Sequence, residues 1–509
     1  MPVTSAARWI EHFNDTSWIP RVARKRVSEP KVTRPLSDQR YIVAAVYVAA
    51  MLMNTLDSTI VNVALATLGR EFNVPPETTE AVVVGYLVSL AVFIPASGWL
   101  GDRFGTKRVF LSALALFVVA SALCGLAQSL EQLIAFRVLQ GAGGGMLTPV
   151  GMAMLFRTFP PAERIAVGRV LMFATILGPA SGPIVGGLLI ENLSWRWAFY
   201  VNVPVGLIAF AIGLLFLREH REPDPGAFDL PGFVLGGIGL AALMFALSEG
   251  PNRGWTETVT LVAALIGVVA LVAFVGRELS VPQPMVDLRL LANRLFRTTQ
   301  AVSFFAAAAF VGVLFLIPLF LQTVRGFSPL GAGLTTFPEA IGVVSSTQLV
   351  ARLYPRVGPR RLMVAGLIVV ATAVLLLASI GLTGGPWTVR VLMFLVGAGM
   401  AFIFLPNQAA SLATISRAQT GRATTIANVQ RQVGAAIGVS ALSSVLVIRA
   451  GSGGDPGVEA YRAALGVAAL LAAIGALAAL RVPDAEAAET MRPRGEHPSP
   501  AEAQMAEPA

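Results

Sequence analysis

Charge is what this 509-residue sequence has least of: Asp, Glu, Lys and Arg together make up 13% of it. A soluble chain carries about 25%. With 55% hydrophobic residues and a mean hydropathy of +0.70, the composition excludes an ordinary soluble enzyme and implies a polytopic membrane protein. There is one cysteine, Cys124, inside an apolar run, so no disulfide framework or thiolate metal site forms within one chain. The three histidines, His12, His220 and His497, lie outside the long apolar runs, which removes a histidine proton relay. No signal peptide is apparent. The net charge of +9 does not imply a nucleic-acid partner. Its basic residues sit in short segments between apolar runs, the pattern of positive-inside topology.

Fourteen apolar runs of spanning length are present, near 42–66, 81–100, 108–127, 131–155, 167–190, 197–217, 229–248, 258–276, 298–321, 331–353, 361–381, 387–410, 423–447 and 459–481. Most of the Lys and Arg fall in the N-terminal tail, the even-to-odd loops and the C-terminal tail. That bias puts both termini in the cytoplasm. The basic tail "RVARKRVSEPKVTR" suits anionic lipid, and the Ala-, Glu- and Pro-rich stretch from Pro483 is expected to be disordered.

The chain repeats itself. "GDRFGTKRVF" (101–110) and "YPRVGPRRLM" (354–363) align at an offset of 253, and the same offset takes "RVL" at 137–139 to "RVL" at 390–392 and Gly144 to Gly397. The expected organisation is a cytoplasmic tail (1–40), a six-helix half (41–217), a linker with two extra helices (218–297), a second, parallel six-helix half (298–482) and a cytoplasmic tail (483–509). Parallel halves with a site between them are a transporter architecture.

Asp57 poses the functional question. It lies about 16 residues into the first run, roughly 24 Å along a helix axis. A carboxylate there is unfavourable by at least roughly 2.5–3.5 kcal/mol on insertion scales. Low dielectric disfavours its charged form, which suits it to binding and releasing a proton. Asn54 shares its face. Arg137, with Gln140, Gly141 and Gly144 on one face of the fourth run, is a ready partner. Glu339, in the tenth run, is a second candidate for proton coupling or cation binding, whereas Glu249 reads as interfacial.

The turn "GWLGDRFGTKR" fails as a phosphate loop, because Thr106 separates Gly105 from Lys107 and no Ser or Thr follows the Lys. It reads instead as a tight Gly-containing turn carrying Asp102 against Arg103 and Arg108, where Asp102 pairs with these or meets the positive N-terminus of another helix. In "GPASGPIVGG", Gly178, Gly182 and Gly186 form one groove that admits a neighbouring helix, and Pro179 and Pro183 bend that run. "WRWAFYVNVPVG" reads as interfacial anchoring and helix entry, with no chemistry. Phe305 in "FFAAAAFVGVLFLIPLF", with Asn54, Gln140, Gln322, Gln348, Asn407 and Gln408, are candidate lining residues for a lipophilic substrate.

These motifs, in this order and spacing, resemble the fourteen-span drug–proton antiporter family of the major facilitator superfamily, from about residue 40 to 480. The resemblance implies export, from the Gly-Pro pattern. It also implies proton coupling through Asp57 and Arg137, and a lock between halves at the Asp102 turn. Pro355 stands where the second turn would carry its acid, so that lock is one-sided. The expected protein is a proton-driven exporter of lipophilic, cationic small molecules across the inner (cytoplasmic) membrane. It works as a monomer with protons, its substrate and the lipid bilayer as partners, and without cofactor or metal. Rivals are an exporter specific for one metabolite or lipid, and a nutrient importer. A membrane enzyme would show an acid/base or metal cluster on a loop, and the sequence shows none.

Overall fold

The computed structural model describes residues 36–159, 178, 181–222, 226–416, 419–450 and 456–491. Among these residues there is no strand. The long helices, in chain order, are α1 (Leu36–Phe72), α2 (Glu80–Phe104), α3 (Thr106–Leu126), α4 (Leu130–Thr158), α5 (181–192) and α6 (Trp197–Phe216). They continue with α7 (Leu230–Arg253), α8 (Thr258–Ser280), α9 (Arg294–Thr323) and α10, in two pieces at Pro329–Thr336 and Pro338–Val357. The last four are α11 (Pro359–Leu376), α12 (Pro386–Ser411), α13 (Thr420–Ala450) and α14 (Val458–Ala479).

Their ends follow from local chemistry. Ser129, Asp229, Asn293 and Ser328 cap α4, α7, α9 and α10 with side-chain oxygens on the backbone N–H groups of Gln132, Gly232, Phe296 and Gly331. Proline opens α11 and α12, where its missing N–H is not needed. Eleven described helices are long and apolar enough to cross a membrane. The remaining expected runs are α4, diluted by Gln140 and the glycines of 141–145, the broken α10, and the run 167–190, which is described only in part.

Small residues set the packing. Gly141 and Gly145 of α4 lie against the backbone of α2 at Tyr86 and Leu90, while Gly143 lies against α3 at Ala113 and Phe117. A Cβ at Gly143 would approach the Phe117 nitrogen to 2.7 Å, so α4 is wedged where only glycine fits. Gly178, Gly182 and Gly186 all face α1, meeting Thr55, Thr59 and Ile60. Later in the chain, Gly434 and Gly438 bring α13 onto α9 at Phe304 and Ala308. The expected groove is therefore a contact with α1. Pro179 lies outside the described residues.

The two turns that align at an offset of 253 share a geometry. Gly105 (φ 100°) and Gly358 (φ 83°) end α2 and α10 in the left-handed region that favours glycine. After each turn, the next helix starts against a carboxylate supplied from beyond the sixth helix of its repeat. Glu219 accepts from Lys107 N (2.9 Å), and Asp484 accepts from Arg360 N (2.9 Å). The expected disorder does not begin at Pro483. Asp484–Ala487 and Ala488–Met491 are helical, and Thr490 bonds the Tyr354 hydroxyl at 2.7 Å. The basic tail through residue 35 and the chain from 492 lie outside the described residues.

Candidate functional site

Asp57 sits mid-way along α1 with 0% exposure. Three donors converge on its carboxylate. Arg137 Nη1 reaches Oδ2 at 2.5 Å, while Gln140 Nε2 and Asn202 Nδ2 reach Oδ1 at 2.8 and 2.9 Å. Arg137, 1% exposed, also donates to the Val82 carbonyl and to Gln140 Oε1. The Ser121 hydroxyl accepts from Gln140 and Asn202 and donates to the Phe199 carbonyl. Every direction in this network agrees. Arg137 requires an acceptor on Gln140, which turns the Gln140 amide nitrogen to Asp57. The guanidinium lies over the Tyr86 ring at 4.0 Å, and Tyr86 donates to Asn54 Oδ1 at 2.5 Å.

The site is thus assembled from α1, α2, α3, α4 and α6. Both carboxylate oxygens act as acceptors, and the pair is shut off from solvent. Removing one partner of such a pair costs on the order of 3–5 kcal/mol, because the other charge stays buried. The Asp57–Arg137–Gln140 association is the one expected from spacing. Asn202 and Ser121 were not among the expected residues. Asn202 lies in "WRWAFYVNVPVG", the segment expected to anchor without chemistry; that reading is corrected. Trp197 is 45% exposed and fits an interfacial belt, but Trp195 is 2% exposed, between Phe72 and Phe199.

Other expected residues are placed differently. Glu339 is buried at the start of the second piece of α10, with its backbone against Gly397 of α12, and shares no hydrogen-bond partner with Asp57. Asp102 does not pair with Arg103 or Arg108. It meets Arg157 at the end of α4 (3.4 Å), which also holds Glu222 (2.7 Å), and Arg108 meets Glu219 (3.6 Å). Arg103 is exposed. The ion pairs of this turn lie within residues 102–222, so the described contacts clasp the first half to the start of the linker. Phe305 stacks edge-on with Phe304 and packs on Gly475 of α14. Gln140 is buried, with its amide engaged by Arg137, Asp57 and Ser121. Gln348 is exposed, Asn407 half-buried, and Gln322 donates to the Val63 carbonyl at 3.0 Å, tying α9 to α1.

A helical bundle with a sealed acid–base pair between α1 and α4, repeated motifs and, among the described residues, eleven membrane-length helices defines a membrane transporter class. Residues 47–439 match the Major Facilitator Superfamily model, and the chain belongs to that family. It is 34% identical over 409 residues to the "Multidrug resistance protein B homolog" of Mycobacterium tuberculosis, covering 79% of this chain and 75% of that protein. Among solved structures it resembles the POT family transporter PepTSo (TM-score 0.62, 17% identity, 86% of this chain and 98% of that one). It also resembles a bacterial homolog of the human lysosomal transporter Spinster in an inward-facing, unoccupied conformation (TM-score 0.60, 17% identity, 90% and 98%). At that identity these likenesses speak for the fold alone.

Proposed function

We propose that this transporter is a proton-coupled antiporter that exports lipophilic small molecules across the cytoplasmic membrane. Two six-helix halves (41–217 and 298–482) alternate around a central passage, with α7 and α8 as additions that bring the span count to fourteen and both termini on the cytoplasmic face. The observation that carries the reading is the Asp57 cluster. A proton taken on Oδ2 occupies the lone pair that now receives Arg137 Nη1. Protonation and release of the guanidinium are therefore one event, and a buried pair becomes a buried neutral acid beside a freed cation. Such a change has the size needed to shift a two-state equilibrium.

The glycine face of α5 supports coupling, because it seats α5 directly on the α1 segment that carries Asp57. Two described hydrogen bonds join the repeats, Gln322 to the Val63 carbonyl and Leu330 N to Glu191, and both are at the end opposite the Asp102 turn. Gly187 lies there against Leu330 as well. This supports an arrangement closed at that end. The similarity to a multidrug resistance protein favours a drug-like substrate. The cationic character expected from the sequence has less support, since the Asp57 carboxylate is already neutralised by Arg137 and closed off.

Purified protein in liposomes is expected to move a lipophilic probe under an imposed pH gradient alone, without ATP. Transport that persists after a protonophore collapses the gradient, or that requires ATP, would overturn the reading. An importer or a single-metabolite exporter is separated from it by the direction and breadth of that flux.

A further inference from the structure

Arg431 lies inside α13, four residues from the midpoint of Thr420–Ala450, or about 6 Å along the axis at 1.5 Å per residue. It is exposed at that depth. The helix is amphipathic there. Thr424, Asn428 and Arg431 recur at i, i+4 and i+7 on one face, and Thr424 is exposed with Arg431. Ile426, Val429 and Val433 occupy the other face, Ile426 being buried. α13 packs against α2, α7, α9 and α14. A guanidinium turned to lipid at this level is strongly unfavourable, so the polar face meets water inside the protein.

Arg431 is not neutralised. Its Nη2 donates to Asn428 Oδ1 at 3.1 Å, and no carboxylate pairs with it among the described residues. Other charges deep in the helices are closed off: Asp57 and Arg137 consume each other, and Glu339 is buried. Beside Arg431, Gln430 donates to the backbone carbonyl of Gln300 on α9. Gln300 is 3% exposed, yet neither polar atom of its side chain has a partner, and Gln430 Oε1 also lacks one. Buried amides are normally satisfied, and an exception calls for a missing partner. The Arg431 guanidinium is accessible yet surrounded by protein, and its neighbour along the helix, Gln430, holds an amide oxygen without a partner, so this face carries unpaired polar groups inside the bundle.

We propose that Arg431 anchors the transported molecule, and that the molecule carries an anionic oxygen group, a carboxylate or a related oxyanion, on a lipophilic body. The planar fork of N–H donors left after the Asn428 bond matches such a group. The inference rests on the exporter reading above and narrows its substrate class.

Two probes with one aromatic body and opposite charge test it: 1-pyrenebutyrate and 1-pyrenemethylamine. Binding is read by fluorescence on the full-length protein in nanodiscs, and flux is read in liposomes under a pH gradient. Wild-type protein should bind pyrenebutyrate in preference to the amine. Arg431→Gln should weaken pyrenebutyrate about tenfold or more while leaving the amine unchanged or improved, and Arg431→Lys should restore part of the loss. Equal melting temperatures for the three proteins show that the change is in the site. Pyrenebutyrate affinity that Arg431→Gln does not alter, or a preference for the amine, overturns the proposal. If pyrenebutyrate binds through Arg431 but no gradient drives its flux, the antiporter reading fails and the site stands. If the gradient drives amine export that Arg431→Gln leaves intact, the antiporter reading stands and the site falls.

Discussion

The same three residues, Arg-Val-Leu, open the corresponding helix in both repeats, and the two arginines lead different lives. Arg137 is buried on Asp57; Arg390 sits near the start of α12, its guanidinium 4.7 Å over the Trp387 ring and only partly covered. The difference comes from what each arginine finds across the bundle. At the offset of 253, Asp57, Ser121 and Gln140 correspond to Phe310, Val374 and Met393. The second repeat fills with apolar side chains the volume that the first fills with a hydrogen-bonded network. Phe310 stacks on Phe404, and Val374 and Met393 are fully buried. Arg390 has no acid to enter for. The turns, by contrast, keep one geometry in both repeats, down to a carboxylate on the first turn of the next helix. Scaffold is repeated, and the buried ion-pair network is found in one copy.

The comparison can be broken most sharply at Asp57. Asp57→Asn should abolish gradient-driven export in liposomes; it also leaves the Arg137 guanidinium buried without its acid, so the melting temperature should fall, and export is compared at equal amounts of folded protein. Substrate exchange without net pumping should survive. Normal uphill transport by this variant would place the proton elsewhere, with Glu339 next to be neutralised.

Next in size is the arginine pair. Arg137→Ala strands a buried carboxylate and should destabilise the protein by about 3–5 kcal/mol, read as loss of folded yield and melting temperature. Arg390→Ala should stay within about 0.5 kcal/mol, as expected for a surface position. Similar effects from both would contradict the asymmetry.

Gly182→Leu tests the α1–α5 contact. A Cβ at Gly182 already overlaps Thr59, and the Thr59 hydroxyl is engaged with its own helix. Membrane yield should remain near normal with transport largely lost, and full transport would show that α5 need not sit on α1.

Smallest is the shared clasp. Glu219→Gln and Asp484→Asn each weaken a charged group at a helix start, by about 0.3–1 kcal/mol. The two should match in melting temperature, and the match tests whether the turns are equivalent.

The sequence foretold the Asp57–Arg137–Gln140 trio because helical spacing and membrane depth are local properties. Asn202 escaped because its partner Asp57 is 145 positions away and its own segment is dominated by tryptophans. An amide opening an otherwise apolar helix was the available signal. Asp102 was assigned neighbours from its own turn, whereas its partner Arg157 is reached only when α4 folds back. Arg431 lies within the run 423–447, whose overall hydropathy hides one guanidinium. The polar face appears once residues three and four apart are viewed together. The repeat, the turn glycines and most helix boundaries were legible because Gly, Pro and capping residues act over a few positions.

The clasps at Gly105 and Gly358 also bear on how the chain is made. The carboxylate that caps α3 lies 112 residues beyond Lys107, and the one that caps α11 lies 124 residues beyond Arg360. During synthesis the first three helices of a repeat therefore wait with an open turn until the sixth has been delivered, and then close as a parcel. The first parcel can be sealed while the second is still in the ribosome. A chain arrested only once Glu222 has cleared the ribosome could close the turn, and the same arrest with Glu219→Gln would leave the latch weakened. Protease resistance of the two arrested fragments in membranes would show where biosynthesis turns the latch.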